Sequence, residues 1–280
     1  MQTDPSLRRK PESLVRRDTG LRRYDAAIIG VALLLAGCSA QPKVTPHQIV
    51  SDNPCIDAIL ADVAPPRQIG AISAYSRNAS ASSVSLEWAR HFPVISGTAE
   101  EIIAAQPSLY ITSAPLRPET QAAVRAAGIR TLALPVPNSI FESIAQVRTV
   151  AHAIGRDTAG EALVDKINKA AQASPRTRTR ALIYQSGGLM LGAGTLADDE
   201  LRAAGLHNAA RDYSYKPWDV VPLERLILNP PDLVLSSGQP RSFDAERAQI
   251  KTVHYDPHLT YCGAGTIPKA LARLRDIKGL

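Results

Sequence analysis

Three cysteines and six histidines are the side chains of this protein best suited to covalent or metal chemistry. Cys38 ends the stretch Leu35-Ala36-Gly37-Cys38 directly after an apolar run, and Ser39-Ala40-Gln41-Pro42-Lys43 turns polar at once. Small residues before a cysteine in that setting form a lipobox. Its chemistry is acylation of the thiol and cleavage of the chain before Cys38. Cys55 and Cys262 lie more than 200 residues apart, with no CxxC or Cys/His spacing that would suit zinc. In an oxidising compartment an even pair allows a disulfide. A thiol with a histidine base would instead make a nucleophile. The sequence leaves open a disulfide, a ligand-facing thiol or two unrelated buried thiols, and the last is taken as the expectation because nothing in the sequence shows that the two meet.

The histidines (His47, His91, His152, His207, His254 and His258) are scattered. His254 and His258 are four apart, but Pro257 between them works against a helical ligand pair. A bare-metal site would need His91 or His152 with a carboxylate, so a zinc or manganese receptor is one alternative. No GxSxG elbow, GxxxxGK[ST] phosphate loop or HExxH pair occurs. An extracytoplasmic enzyme would therefore have to use Cys55 or Cys262. The reading is that the chain is not an enzyme and needs no cofactor.

The formal charge of +6 overstates the basicity of the folded part. Seven of the 32 basic residues, against four acidic ones, lie in residues 1–37. The remainder is nearly balanced and has no basic block, so nucleic acid is not an expected partner.

Residues 26–36 form an uncharged apolar run of 11 behind Arg22 and Arg23. A membrane-spanning helix needs about 20 residues. The run suits a signal-peptide core. Residues 1–37 are accordingly expected to be a lipoprotein signal peptide and 38–46 a linker. The product would be a lipid-anchored extracytoplasmic protein.

Beyond residue 47, short apolar strands alternate with helical patterns, which predicts a mostly parallel α/β fold. Strands are expected near 48–50, 70–75, 109–112, 131–134, 181–184, 232–235 and 253–255. Thr98 and Glu101, and again Ser139 and Glu142, have capping-box spacing. From Ser139 to about 171 the apolar residues keep a helical period, and the spacing predicts one long connecting helix bent at Gly155. Residues 187–194 read as a Gly-rich loop, and Lys216-Pro217-Trp218-Asp219 as another.

The second half repeats the first. Glu100-Glu101-Ile102-Ile103-Ala104-Ala105-Gln106-Pro107 parallels Glu224-Arg225-Leu226-Ile227-Leu228-Asn229-Pro230-Pro231: an acid-started helix, a proline stop, then a buried strand. The division this suggests is an N-terminal lobe at 47–137, a connecting helix at 138–174 and a C-terminal lobe at 175–280. A ligand cleft would lie between two Rossmann-like lobes.

This order of motifs resembles the ABC-transporter solute-binding proteins that carry cobalamin, ferric siderophores and haem. The likeness covers nearly all of 47–280. It rests on Ile49-Val50-Ser51-Asp52-Asn53-Pro54 as first strand and turn, on Ile72-Ser73-Ala74-Tyr75-Ser76 as second strand and cleft loop, and on the repeated helix–proline–strand unit. The resemblance implies a monomeric receptor that binds a metal chelate and hands it to an inner-membrane permease. It implies Tyr75 and Trp218 as ligand-contacting rings, with Met190 as a further contact. Glu100 and Glu224 would be the carboxylates that dock onto permease arginines. Two further aromatic positions of the family fall near Ile95 and Thr112-Ser113, where this chain has small or aliphatic side chains.

Overall fold

The computed structural model describes residues 48–113, 115–213, 215–236 and 250–279. The signal segment, the linker and Cys38 lie outside the described residues.

The first sheet contains β1 (Ile49–Ser51), β2 (Ile69–Ser73), β3 (Val94–Ile95), β4 (Leu109–Thr112) and β5 (Thr131–Ala133). All are parallel, in the order β3-β2-β1-β4-β5. The chain winds outward from β1 in both directions, so a switch point opens between β1 and β4. The helices of this lobe are α1 (Pro54–Val63), α2 (Leu86–Ala89), α3 (Ala99–Ala105) and α4 (Pro118–Ala126). Both hydrogen bonds of the Thr98–Glu101 capping box are present at the start of α3.

The connecting segment is two helices, not one. Helix α5 (Ile140–Ala153) stops at Gly155, whose φ of +67° is left-handed. The Arg156 amide closes the end on the Ala151 carbonyl at 2.7 Å. Helix α6 (Asp157–Ala170) then folds back along α5. Arg148 of α5 makes a two-pronged bond to Glu161 of α6 at 2.7 and 3.0 Å, and Gly160 lies against Ala151. The apolar period runs through both helices, which is why the pattern reads as continuous. The glycine turns it into a hairpin. At the start of α5, Ser139 accepts from the Glu142 amide, but the Glu142 carboxylate accepts from Asn138, so the second capping box is only half made.

The second sheet has the order β11-β10-β6-β7-β9, with β8 paired to β6. Its strands are β6 (Arg180–Tyr184), β7 (Leu189–Leu191), β8 (His207–Asn208), β9 (Trp218–Val220), β10 (Leu233–Ser236) and β11 (Thr252–His254). Strand β7 runs antiparallel to both its neighbours, β6 and β9; the other pairings are parallel. Its helices are α7 (Leu196–Ala203), α8 (Leu223–Leu228), α9 (His258–Tyr261) and α10 (Ile267–Lys278).

Alternate residues of the central strands enter different cores, as a sheet covered on both faces requires. Ile49, Leu109 and Ile111 of the first sheet share one cluster with Ala181, Ile183 and Leu235 of the second. Val147 and Val150 of α5, and Val164 and Ile167 of α6, complete that cluster. The opposite faces pack separately: Val50 and Tyr110 in one cluster, Leu182 and Val234 in another. The helical hairpin therefore sits in the shared core, with the carboxyl ends of the strands opening onto the cleft.

Candidate functional site

The switch point is built by two residues that follow β1. Asp52 accepts from the Tyr110 hydroxyl at 2.5 Å and from Thr112 at 3.3 Å. Burial, then the hydrogen bond to Asp52, drive the Tyr110 phenol well above its ordinary range, so it remains a donor. Asn53 caps α1, accepting from the amides of Cys55 and Ile56, and its own amide donates to Ser113 at 2.8 Å. These bonds tie β1 to β4 and place Cys55 at the mouth of the switch point.

Tyr75 sits on a short 3-10 turn, Ala74–Arg77, after β2. A carboxylate inside α1 holds that turn. Asp57 is wholly buried and accepts from the Ser73 amide at 2.9 Å and the Ser76 hydroxyl at 2.6 Å. Burial raises its pKa to about 7, against the lowering effect of those two bonds. Both anchors flank Tyr75, whose ring is left 63% exposed. It faces a cavity across the ends of β1 to β3 with Asp52, Asn78, Ile95 and Ser96.

A second cavity, about 680 Å³ counted out to open solvent, lies between the two sheets. Asn53, Ser113 and Ile56 of the first lobe face Trp218, Glu200 and Leu259 of the second across it. Cys55 and Cys262, also in its wall, form a disulfide with Cα atoms 5.0 Å apart. The expectation of two unrelated thiols is therefore corrected. The sulfurs meet because α1 starts at the switch point and the segment before α10 returns to it. Paired sulfurs supply no free thiol, so the cysteine–histidine nucleophile considered from Cys55 or Cys262 does not form.

The lobes also meet at the rim. His258 of α9 directs Nε2 at the Ala79 carbonyl, 2.7 Å away, and Nδ1 at Asp256, 2.5 Å away. Burial works to lower its pKa, yet the two acceptors outweigh it and the net shift is upward. With acceptors at both nitrogens, the imidazolium is the form that satisfies the site.

Each residue singled out from sequence has a definite place. Trp218 is 52% exposed on the inter-lobe cavity, but it belongs to β9 and not to a loop. Met190 is a correction. The glycine-rich stretch contains β7, and Met190 points from it into the core with Leu182 and Val234, fully buried and with no surface to offer a ligand. Glu100 and Glu224 are exposed in the first turns of α3 and α8. Of the histidines considered for a bare metal with a carboxylate, His91 meets the Trp88 carbonyl, while His152 does meet a carboxylate, Asp157, at 3.0 Å. Among the described residues no group of three or more His, Cys, Asp or Glu is placed to hold a metal ion. Sequence reasoning missed Asp57, Glu200 and Tyr255. All three are buried polar groups within apolar periods, where spacing carries no sign of them.

Two lobes, a switch-point cleft and a connecting hairpin are now in place, and a family model described as periplasmic binding protein matches residues 49–254. The chain belongs to the periplasmic binding protein family. It is a family of binding proteins rather than enzymes, acting as solute-binding components of ABC transporters outside the cytoplasm. Among solved structures, the periplasmic heme-binding protein HutB of Vibrio cholerae is similar with a TM-score of 0.66 at 17% identity. The match covers 82% of this chain and 98% of that one. The periplasmic heme-binding protein RhuT of Roseiflexus sp. RS-1 gives 0.62 at 22% identity, covering 83% and 96%. The periplasmic vitamin B12 binding protein BtuF of Vibrio cholerae gives 0.63 at 17%, covering 82% and 95%. At these identities the likeness establishes the fold. No curated protein matches the chain.

Proposed function

We propose that this periplasmic binding protein captures a metal chelate (a ferric siderophore, a corrinoid or haem) in the cleft between its lobes and delivers it to an ABC permease. The supporting observation is the pair of exposed rings. Tyr75 and Trp218 stand on different lobes, each exposed on a cavity wall. Flat π faces suit a macrocycle or an aromatic chelator. The division into lobes at 47–137 and 175–280, with the connection at 138–174, is the frame of this reading. Glu100 and Glu224, one per lobe and exposed, are the carboxylates assigned to permease arginines, since two separated charges fix an orientation. Lipid on Cys38 would hold the receptor at the membrane.

The test is a thermal-shift screen of the purified chain against haemin, cyanocobalamin, ferric siderophores and bare zinc and manganese. The reading expects one chelate class to raise Tm, and Tyr75→Ala and Trp218→Ala each to weaken that ligand about two- to tenfold, in line with a lost ring contact of roughly 0.5–1.5 kcal/mol. If no chelate shifts Tm, the reading is wrong. A shift by bare metal alone would replace it with the metal-receptor alternative.

A further inference from the structure

The inter-lobe cavity has one polar group that the fold does not explain. Glu200 of α7 is 1% exposed, lines the cavity, and its Oε1 has no hydrogen-bond partner. The Tyr255 hydroxyl, within electrostatic reach of Glu200, is also buried and unpartnered. Buried polar groups in folded proteins are nearly always paired, so an exception on the cavity wall, Glu200, with a second one behind it at Tyr255, marks a place where a bound molecule completes the pairing. The rest of α7 shows the contrast. Asp198, two residues earlier, is equally buried yet takes bonds from Arg211, Asn208 and the Gly194 amide.

The walls around Glu200 are apolar: Ile56, Val136, Leu196, Ala197 and Leu259, with the disulfide beside them. Among the described residues, no lysine or arginine lines this cavity or the one at Tyr75. Arg77, two residues from Tyr75, is committed to the carbonyls of Ala89, Arg90 and Phe92. An anionic ligand would have to shed its hydration here without a countercharge, which is strongly unfavourable.

We propose, building on the chelate-receptor reading, that this cleft selects an uncharged chelate and that Glu200 pairs with its hydrogen-bonding edge, an amide or hydroxyl. Burial first, and the Asp199 charge second, push the Glu200 carboxyl well above its ordinary range. A neutral acid both donates and accepts, which matches a primary amide and leaves no net charge in the apolar pocket.

Calorimetry on the purified full chain tests this with four probes. Cyanocobalamin and ferrichrome present uncharged, amide-bearing edges. Haemin carries carboxylates, and a ferric tris-catecholate is a trianion. At least one neutral probe is expected to bind tenfold or more tighter than both anionic ones. Glu200→Gln, which still donates and accepts, is expected to keep that affinity within threefold. Glu200→Leu is expected to lose tenfold or more while leaving the anionic probes unchanged. Tighter binding of an anionic probe overturns the proposal and leaves the chelate-receptor reading standing. Unchanged affinity in Glu200→Leu also overturns it. Binding of none of the four removes both. The four-probe comparison on the unsubstituted chain decides the matter even if Glu200→Leu does not fold.

Discussion

Cys55, in the first turn of α1, and Cys262, just before α10, close a disulfide in the wall of the inter-lobe cavity. The bond spans 207 residues of sequence and fastens the first helix of the first lobe to the last segment of the second. A covalent tie there restricts how far the lobes can part.

Loss of the disulfide is expected to be expensive. Closing so long a loop stabilises by about 5 kcal/mol in the chain-entropy account, which is roughly a 10–20 °C fall in Tm for a chain of this size. Scanning calorimetry of Cys55→Ser/Cys262→Ser, and of the native chain with and without reductant, reads this directly. Equal melting of oxidised and reduced protein would show that the tie does nothing for stability.

The rim contact of His258 predicts a pH dependence. Its folded-state pKa is raised, so its contribution is fully present below the ordinary histidine value of about 6.5 and is lost as pH rises through the raised value. The Tm difference between native chain and His258→Gln should be largest below about pH 6.5 and should shrink as pH rises through the raised value. A difference that is flat across this range would mean the imidazole stays neutral against Ala79 and Asp256.

Asp57 has the same sign for a different reason. Burial raises its folded pKa to about 7, so it binds protons more tightly folded than unfolded. Its stabilising effect is complete below about pH 4 and fades as pH rises through about 7. Asp57→Asn should flatten this decline while keeping an acceptor for Ser73 and Ser76. Asp57→Ala should instead loosen the turn under Tyr75 and weaken ligand binding severalfold. Melting curves at pH 4 to 8, with a titration of whichever chelate binds, distinguish the two substitutions.

Glu100 and Glu224 predict a separation of binding from transport. Glu100→Lys and Glu224→Lys should leave ligand affinity within about twofold, since both side chains are exposed in first turns away from the cavities. Each should reduce permease-dependent uptake about tenfold, as reversal of a docking charge does. Measured in proteoliposomes with a cognate permease, unchanged uptake would return both residues to a local role at their helix N-termini.

Much of the architecture was legible in the residues. The strands at 109–112, 181–184 and 232–235 were visible because each is a short β-branched or aliphatic run bounded by proline or polar residues, and the structure has β4, β6 and β10 there. Thr98 and Glu101 announced the start of α3 through side-chain chemistry confined to four residues. Short antiparallel additions were less visible. Strands β7 and β9 have three residues each, and a glycine-rich stretch masks the first. That is why Met190 looked available when it is core.

The chain alone determined what depends on local order: alternating strands and helices, the repeated acid–helix–proline–strand unit, the absence of familiar catalytic motifs, and the candidate rings Tyr75 and Trp218. Only the tertiary structure decided what depends on residues far apart meeting. It folded one apparent helix into the hairpin of α5 and α6, because a left-handed Gly155 lets α6 turn back. It joined Cys55 to Cys262, and it left Glu200 buried on a cavity wall without a partner. Burial and partnership are properties of the space around a side chain, and a periodicity of 3.6 or 2 does not encode that space.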